Sequence, residues 1–110
     1  MNPDKTTDNT RPLITIATVT YNAGTTLQRT LDSVAAQDYN RIEHLIIDGL
    51  STDNTLSLVQ RYLEQNNNRH QIRLTSEPDE GLYDAMNKAL SLATGEYIVF
   101  LNAGDKLHSQ

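Results

Sequence analysis

The sequence contains no cysteine, which excludes disulfide bonds and thiolate metal sites. Its three histidines are widely spaced and do not form a metal-ligand pattern. No apolar run approaches the roughly 18 residues of a membrane-spanning helix, and the start of the chain lacks the apolar core of a signal peptide. The net charge of −5 argues against a nucleic-acid partner, because binding to a phosphate backbone requires a basic patch. These absences favour a soluble cytoplasmic protein without a membrane span in this chain.

The 110 residues suffice for one domain with its own core. We expect residues 1–11, rich in Asn, Asp, Thr and Lys, to be a disordered lead-in, and residues 12–110 to fold. Apolar, β-branched runs at 13–19, 43–48, 72–76 and 96–101 predict strands. Between them, apolar residues at helical spacing predict helices from about Leu27, Leu56 and Leu82, with the Asn66–Asn68 run ending the second and Gly95 capping the third. This β-α-β-α-β-α-β order predicts a Rossmann-like parallel sheet with helices on both faces.

Polar segments follow three of the predicted strands. Asp48 ends the second strand, Gly49 turns the chain, and Ser51 or Asp53 is placed to cap the next helix. Because the carboxyl ends of parallel strands form the binding edge of such sheets, these segments predict one polar crevice. The candidate binding residues in or beside it are Thr20, Tyr21, Asn22, Asp48, Gly49, Ser51, Asp84, Lys88, Asn102, Ala103, Gly104 and Asp105.

Several candidates have a structural alternative. Tyr21 is a candidate to stack on a base, or else to cover a helix end. Asp48 is a candidate to accept a hydrogen bond from a base or ribose, or else to cap loop amides. Asp105 is a candidate ligand of a divalent cation bridging phosphates, or else a turn residue. Asp84 and Lys88 are candidates for ribose or phosphate contact, or else a plain i,i+4 ion pair.

Four segments, in this order and spacing, resemble the inverting family 2 glycosyltransferases, which have the GT-A fold. The segments are 18–22, 47–55, 80–89 and 93–105, so the resemblance covers roughly Leu13 to Leu107. It implies a UDP- or GDP-linked sugar donor, a divalent cation (Mg²⁺ or Mn²⁺), and a saccharide or lipid-linked acceptor. The full-length enzyme is then cytoplasmic or peripheral to the membrane.

The resemblance also implies roles for individual residues. Tyr21 and Asp48 hold the base, and the segment Asn102–Asp105 contacts the ribose and the cation on the diphosphate. Asp105 matches the family's metal ligand. The family motif usually begins with aspartate where this chain has Asn102, which offers an oxygen without charge.

Family members are considerably longer than this chain, and their catalytic base and acceptor site lie in the second half. The resemblance therefore implies a nucleotide-sugar-binding half that is inactive alone, with catalytic residues that this sequence does not identify. The alternative is a stand-alone nucleotide-binding or regulatory module without catalysis. A receiver-like domain is disfavoured, because Thr20-Tyr21-Asn22 stands where an acidic cluster is expected.

Overall fold

The structure is a computed structural model that describes residues 11–66 and 70–105. Within these residues, four strands alternate with three helices, and all strand pairs are parallel. The elements are β1 (Ile14–Thr20), α1 (Leu27–Ala35), β2 (Ile42–Asp48), α2 (Thr55–Asn66), β3 (Gln71–Ser76), α3 (Leu82–Leu92) and β4 (Tyr97–Phe100). Each strand begins and ends within one residue of its predicted bounds, so the predicted order of elements is confirmed.

Strands β1 and β2 form the centre of the sheet, whose order is β3-β2-β1-β4. Their register runs from Ile14 opposite Ile42 to Thr20 opposite Asp48. Every residue of β2 is buried, because the strand lies between two others and is covered on both faces. This burial explains its nearly continuous apolar sequence.

Helices cover both faces of the sheet, as the sequence predicts. Helices α1 and α2 lie on one face and α3 lies on the other. The small side chains of Ala85 and Ala89 let α3 pack closely on the sheet. The first face is packed around Leu27, Leu31, Ile46, Val59 and Tyr62, and the second around Ala17, Ile47, Ala85 and Ala89.

The strand order reverses between β1 and β4. The chain passes from β1 to β2 to β3 and then returns across the sheet to place β4 beside β1. In open parallel sheets, ligands bind outside the carboxyl ends of the strands at such a reversal. The segments that follow β1, β2 and β4 therefore lie at the edge where a ligand site is expected.

The prediction that Gly95 caps α3 is wrong. The helix ends at Leu92, and Ala93 takes the cap position with an extended backbone (φ −65°, ψ 134°). A Cβ atom on Gly95 would lie 2.5 Å from Thr15 Oγ1 and 2.7 Å from the Thr15 backbone nitrogen. Gly95 is therefore required for the close approach of the chain to β1, not for helix termination.

Two other predictions fall largely outside the described residues. Residues 1–10 of the expected disordered lead-in lie outside them, and Arg11 lies 5.9 Å from the centre of the Tyr39 ring. Helix α2 ends at Asn66 as expected, whereas Asn67 and Asn68 lie outside. Across residues 11–66 and 70–105, no helix is long and apolar enough to cross a membrane.

Candidate functional site

The segments after β1 and β2 are joined by hydrogen bonds into one unit. The Gly49 amide donates to the Thr20 carbonyl (3.0 Å). The Asn22 amide donates to Ser51 Oγ (2.8 Å), and the Thr52 amide donates to Asn22 Oδ1 (2.7 Å). Asn22 adopts a left-handed backbone conformation (φ 48°), which asparagine tolerates better than most residues. The structure thus brings four predicted site residues together: Thr20, Asn22, Gly49 and Ser51.

Asp48 is fully buried beneath this unit. Its carboxylate accepts hydrogen bonds from Thr20 Oγ1 (2.7 Å), Ser76 Oγ (2.9 Å), the Ser51 amide (2.8 Å) and Ser51 Oγ (2.5 Å). Burial raises the pKa of the Asp48 carboxyl, but the bonds from Ser51, Thr20 and Ser76 outweigh it and leave the pKa below its usual value. Asp48 therefore makes the contacts of the loop-capping alternative, and a direct contact with a base stays a prediction.

The cap of α2 is provided by Asp53 and not by Ser51. Asp53 Oδ1 accepts hydrogen bonds from the Thr55 amide (2.9 Å) and hydroxyl (2.5 Å), and Oδ2 accepts from the Gly24 amide (3.0 Å). The bonds from Thr55 are the main cause of the lowered Asp53 pKa. Ser51 lies four residues before the helix and bonds to Asp48 instead, so Asp53 is the one of the two candidate caps that the structure selects.

Tyr21 lies between the two bonded positions Thr20 and Asn22. Its side chain is 63% exposed, so it does not bury itself against a helix end. The ring is accessible at the edge of the sheet, which leaves stacking on a ligand as its predicted role.

The segment Asn102–Asp105 forms a turn after β4. The Asp105 amide donates to the Asn102 carbonyl (2.9 Å), and Gly104 has a positive φ of 96°, which favours glycine. Thr30 of α1 holds the turn: its hydroxyl donates to the Asp105 carbonyl (2.5 Å) and accepts from the Gly104 amide (2.9 Å). The turn alternative is thus realised in the backbone, while the exposed Asp105 carboxylate accepts one long bond from the Asn102 amide (3.3 Å).

Asp84 and Lys88 form the i,i+4 pair of the structural alternative. Lys88 Nζ lies 3.7 Å from Asp84 Oδ2 and 3.2 Å from Glu77 Oε1, and donates to the Pro78 carbonyl (2.7 Å). Partial desolvation lowers the pKa of Lys88, but the negative charges of Glu77, Asp84 and Asp79 raise it by a larger amount, so the pKa lies above its usual value. Both residues hold the segment between β3 and α3, so ribose or phosphate contact by them stays a prediction.

That segment also reaches the loop after β2. A Cβ atom on Gly49 would lie 2.9 Å from Asp79 Oδ2. Asp79 was not among the candidate residues predicted from the sequence. Its position beside Gly49 makes it a fourth contributor to the same edge.

His44 is a structural residue of the core. It is fully buried and hydrogen-bonded to the hydroxyls of Thr18 (2.8 Å) and Tyr62 (2.7 Å). Burial, with a smaller contribution from His70, lowers the pKa of His44 to about 3. The imidazole is therefore neutral at physiological pH and belongs to the core.

The described residues contain no group of three or more His, Cys, Asp and Glu side chains that could hold a metal ion. One exposed carboxylate, Asp105, and one amide oxygen, Asn102, stand at the turn after β4. This donor set fits Mg²⁺ or Mn²⁺ only when substrate phosphates and water complete the shell, as is usual for these hard cations. The residues present therefore suit a cation that arrives with a diphosphate.

Three comparisons with known proteins all find glycosyltransferases. The family "Glycosyl transferase family 2" matches residues 15–109. The PGL/p-HBAD biosynthesis glycosyltransferase of Mycobacterium bovis is 36% identical over 97 residues, which cover 88% of this chain and 37% of that protein. This chain thus spans little more than a third of the length of such curated relatives.

Solved structures show the same likeness. A mannosyltransferase of Pyrobaculum calidifontis, in complex with GDP-Man and Mn²⁺, is 34% identical with a TM-score of 0.79, over 88% of this chain and 29% of that one. Residues 1–349 of TarS from S. aureus, in complex with UDP-GlcNAc, are 28% identical with a TM-score of 0.76, over 86% of this chain and 27% of that one. With its parallel sheet, its joined loops and these matches, the chain belongs to glycosyl transferase family 2.

Proposed function

We propose that this chain binds the nucleoside-diphosphate part of a UDP- or GDP-linked sugar, as the donor region of an inverting glycosyltransferase. The observation that carries the proposal is the joining of the segments after β1 and β2 beside the strand-order reversal, where β4 and the turn after it lie next to β1. The complexes of similar proteins with GDP-Man and UDP-GlcNAc support this class of donor.

The proposed contacts follow from what each segment offers. Tyr21 stacks on the base, a contact worth about 1–3 kcal/mol. The loop organised by Asp48, with Asn22, Gly49 and Ser51, borders the base and ribose. Thr20 supports this loop through its bonds to Asp48 and Gly49.

The diphosphate lies at the turn after β4 in this proposal. Ala103 and Gly104 shape the turn, and Asn102 and Asp105 hold Mg²⁺ or Mn²⁺ together with the phosphate oxygens. When bound, the cation neutralises charge on the leaving diphosphate. Asp84 and Lys88 border the same edge from the start of α3.

We further propose that the 110-residue chain alone does not transfer sugar to a saccharide or lipid-linked acceptor. An inverting transfer requires a general base within roughly 2.6–3.2 Å of the acceptor hydroxyl. Asp48, Asp53, Asp79 and Asp84 each accept backbone amide hydrogens of their own loops, and Asp105 is assigned to the cation. None of these is placed to serve as that base.

The proposal is tested by NMR, as amide shifts during titration with UDP, GDP and sulfate, each with and without Mg²⁺. We expect the nucleotides to shift amides of residues 20–22, 49–52 and 102–105, and sulfate to shift few of them. Shifts that are equal for sulfate, or that spread away from these three segments, would refute donor binding at this edge.

A further inference from the structure

Leu50 is held in a conformation that its side chain disfavours. Its φ of 63° lies in the left-handed region, which is costly for a bulky non-glycine residue. Its side chain is nevertheless 48% exposed, so burial in the core does not compensate for this cost. Glycine would adopt the same backbone without strain.

The residues on both sides of Leu50 impose this conformation. The Gly49 amide is bonded to the Thr20 carbonyl (3.0 Å), and the Ser51 amide is bonded to Asp48 Oδ2 (2.8 Å). With both neighbouring amides held, Leu50 is fixed at the tip of the loop. Strained residues that the surrounding structure fixes in this way cluster at ligand sites.

Leu50 and Tyr21 lie in two neighbouring loops that are joined by hydrogen bonds. Thr20 and Asp48 are partners in the β1–β2 register, and beyond them the Asn22 amide bonds to Ser51 Oγ (2.8 Å). Because the Gly49 amide also bonds to the Thr20 carbonyl, segments 20–22 and 49–51 are hydrogen-bonded to each other at both ends, and Tyr21 and Leu50 are their middle residues. Both carry large apolar side chains that are about half exposed or more.

We propose that Leu50 contacts the nucleobase of the donor and that, with Tyr21, it supplies the apolar surfaces between which the base lies. A planar base is an occupant that gains from apolar contact on its faces, whereas a diphosphate gains nothing from leucine. The inference rests on the proposed donor binding and adds a residue that sequence reasoning did not select.

The test compares Leu50→Ala and Leu50→Gly with the wild-type chain by calorimetric titration against UDP, GDP and inorganic pyrophosphate, all with Mg²⁺. Both variants should bind the nucleotides about tenfold more weakly, a loss of about 1.4 kcal/mol, with unchanged binding of pyrophosphate. Leu50→Gly should also melt at the same temperature as the wild type or higher, because glycine removes the strain.

Leu90→Ala is the matched control, because Leu90 is similarly exposed (53%) but lies in the last turns of α3, at the opposite edge of the sheet. It should leave nucleotide affinity unchanged. If both Leu50 variants bound the nucleotides as tightly as the wild type, or lost pyrophosphate affinity to the same extent, the inference about Leu50 would be overturned while the proposed function would stand. A wild-type chain that binds no nucleotide would overturn the proposed function as well.

Discussion

Replacing Asp48 by asparagine should destabilise the fold as well as the site. The carboxylate accepts four hydrogen bonds in a fully buried position. An amide has one acceptor oxygen, so two of the four donors must turn away or face an NH₂ group, and the other two lose their bond to a charge. Hydrogen bonds to charged groups contribute about 1.5–3 kcal/mol each and neutral ones about 0.5–1.5 kcal/mol. The hydroxyls of Thr20, Ser51 and Ser76 can rotate, which reduces the loss to about 2–4 kcal/mol.

The assay is thermal and urea unfolding of Asp48→Asn beside Asp38→Asn, in which the replaced carboxylate is exposed. A loss of that size lowers the melting temperature by roughly 10–20 °C, whereas the control should melt as the wild type does. An Asp48 that serves only to bind a base would give weaker nucleotide binding at an unchanged melting temperature. That result would refute the structural role derived from the hydrogen bonds.

Other parts of the molecule give three further predictions. His44 has a folded pKa of about 3 against an ordinary value of 6.5, so its neutral form stabilises the fold above about pH 6.5 and this stability is lost as the pH falls. Denaturant titrations should show a loss of about 1.4 kcal/mol per pH unit below that point, and His44→Gln should remove this slope; an equal slope in both would contradict the argument. Gly95→Ala should cost about 1–3 kcal/mol in unfolding free energy, because the new Cβ would overlap Thr15; unaltered stability would contradict it. When the chain is incubated with donor sugars and an acceptor mixture, mass spectrometry should detect no transfer product. Cation-dependent, multiple-turnover transfer would show that this chain does contain the general base.

The sequence predicted the architecture well because local and global signals agree. Each strand is an apolar, β-branched run that stops at a polar or turn residue, so the strand ends were visible without a structure. Asp48 illustrates this: the same residue ends the strand, caps the loop and lies at the edge where donor binding is proposed. The parallel order of the strands then placed all such ends at one edge of the sheet.

Contacts between distant residues were not predictable. Thr30 bonds to a turn more than 70 residues later; its only sequence signal is a polar residue on the apolar face of α1. Glu43, at the opposite edge of the sheet, is 2% exposed and accepts bonds from Thr15 Oγ1 (2.8 Å), the Thr94 amide (2.9 Å) and Arg73 Nη2 (3.0 Å). The pattern placed Glu43 in a strand but did not indicate that three other segments of the chain donate hydrogen bonds to its carboxylate.

The prediction that Gly95 caps α3 was wrong for a related reason. A glycine shortly after a helix has two common causes, a left-handed cap and a close approach of another segment. Sequence position alone cannot separate them, because the second depends on where β1 lies. The same holds for Leu50, whose strain is a property of the two bonded loops and not of its neighbours in the sequence.

The most direct test of the central claim is the paramagnetic effect of Mn²⁺ on the amide signals, measured with and without saturating UDP. If the diphosphate and its cation lie at the turn after β4, Mn²⁺ with UDP should broaden the amides of residues 102–105 and of Thr30 most strongly. Without UDP the broadening there should be weak, because Asn102 and Asp105 alone form an incomplete donor set. Equal broadening without UDP, or broadening centred away from this edge of the sheet, would contradict the account.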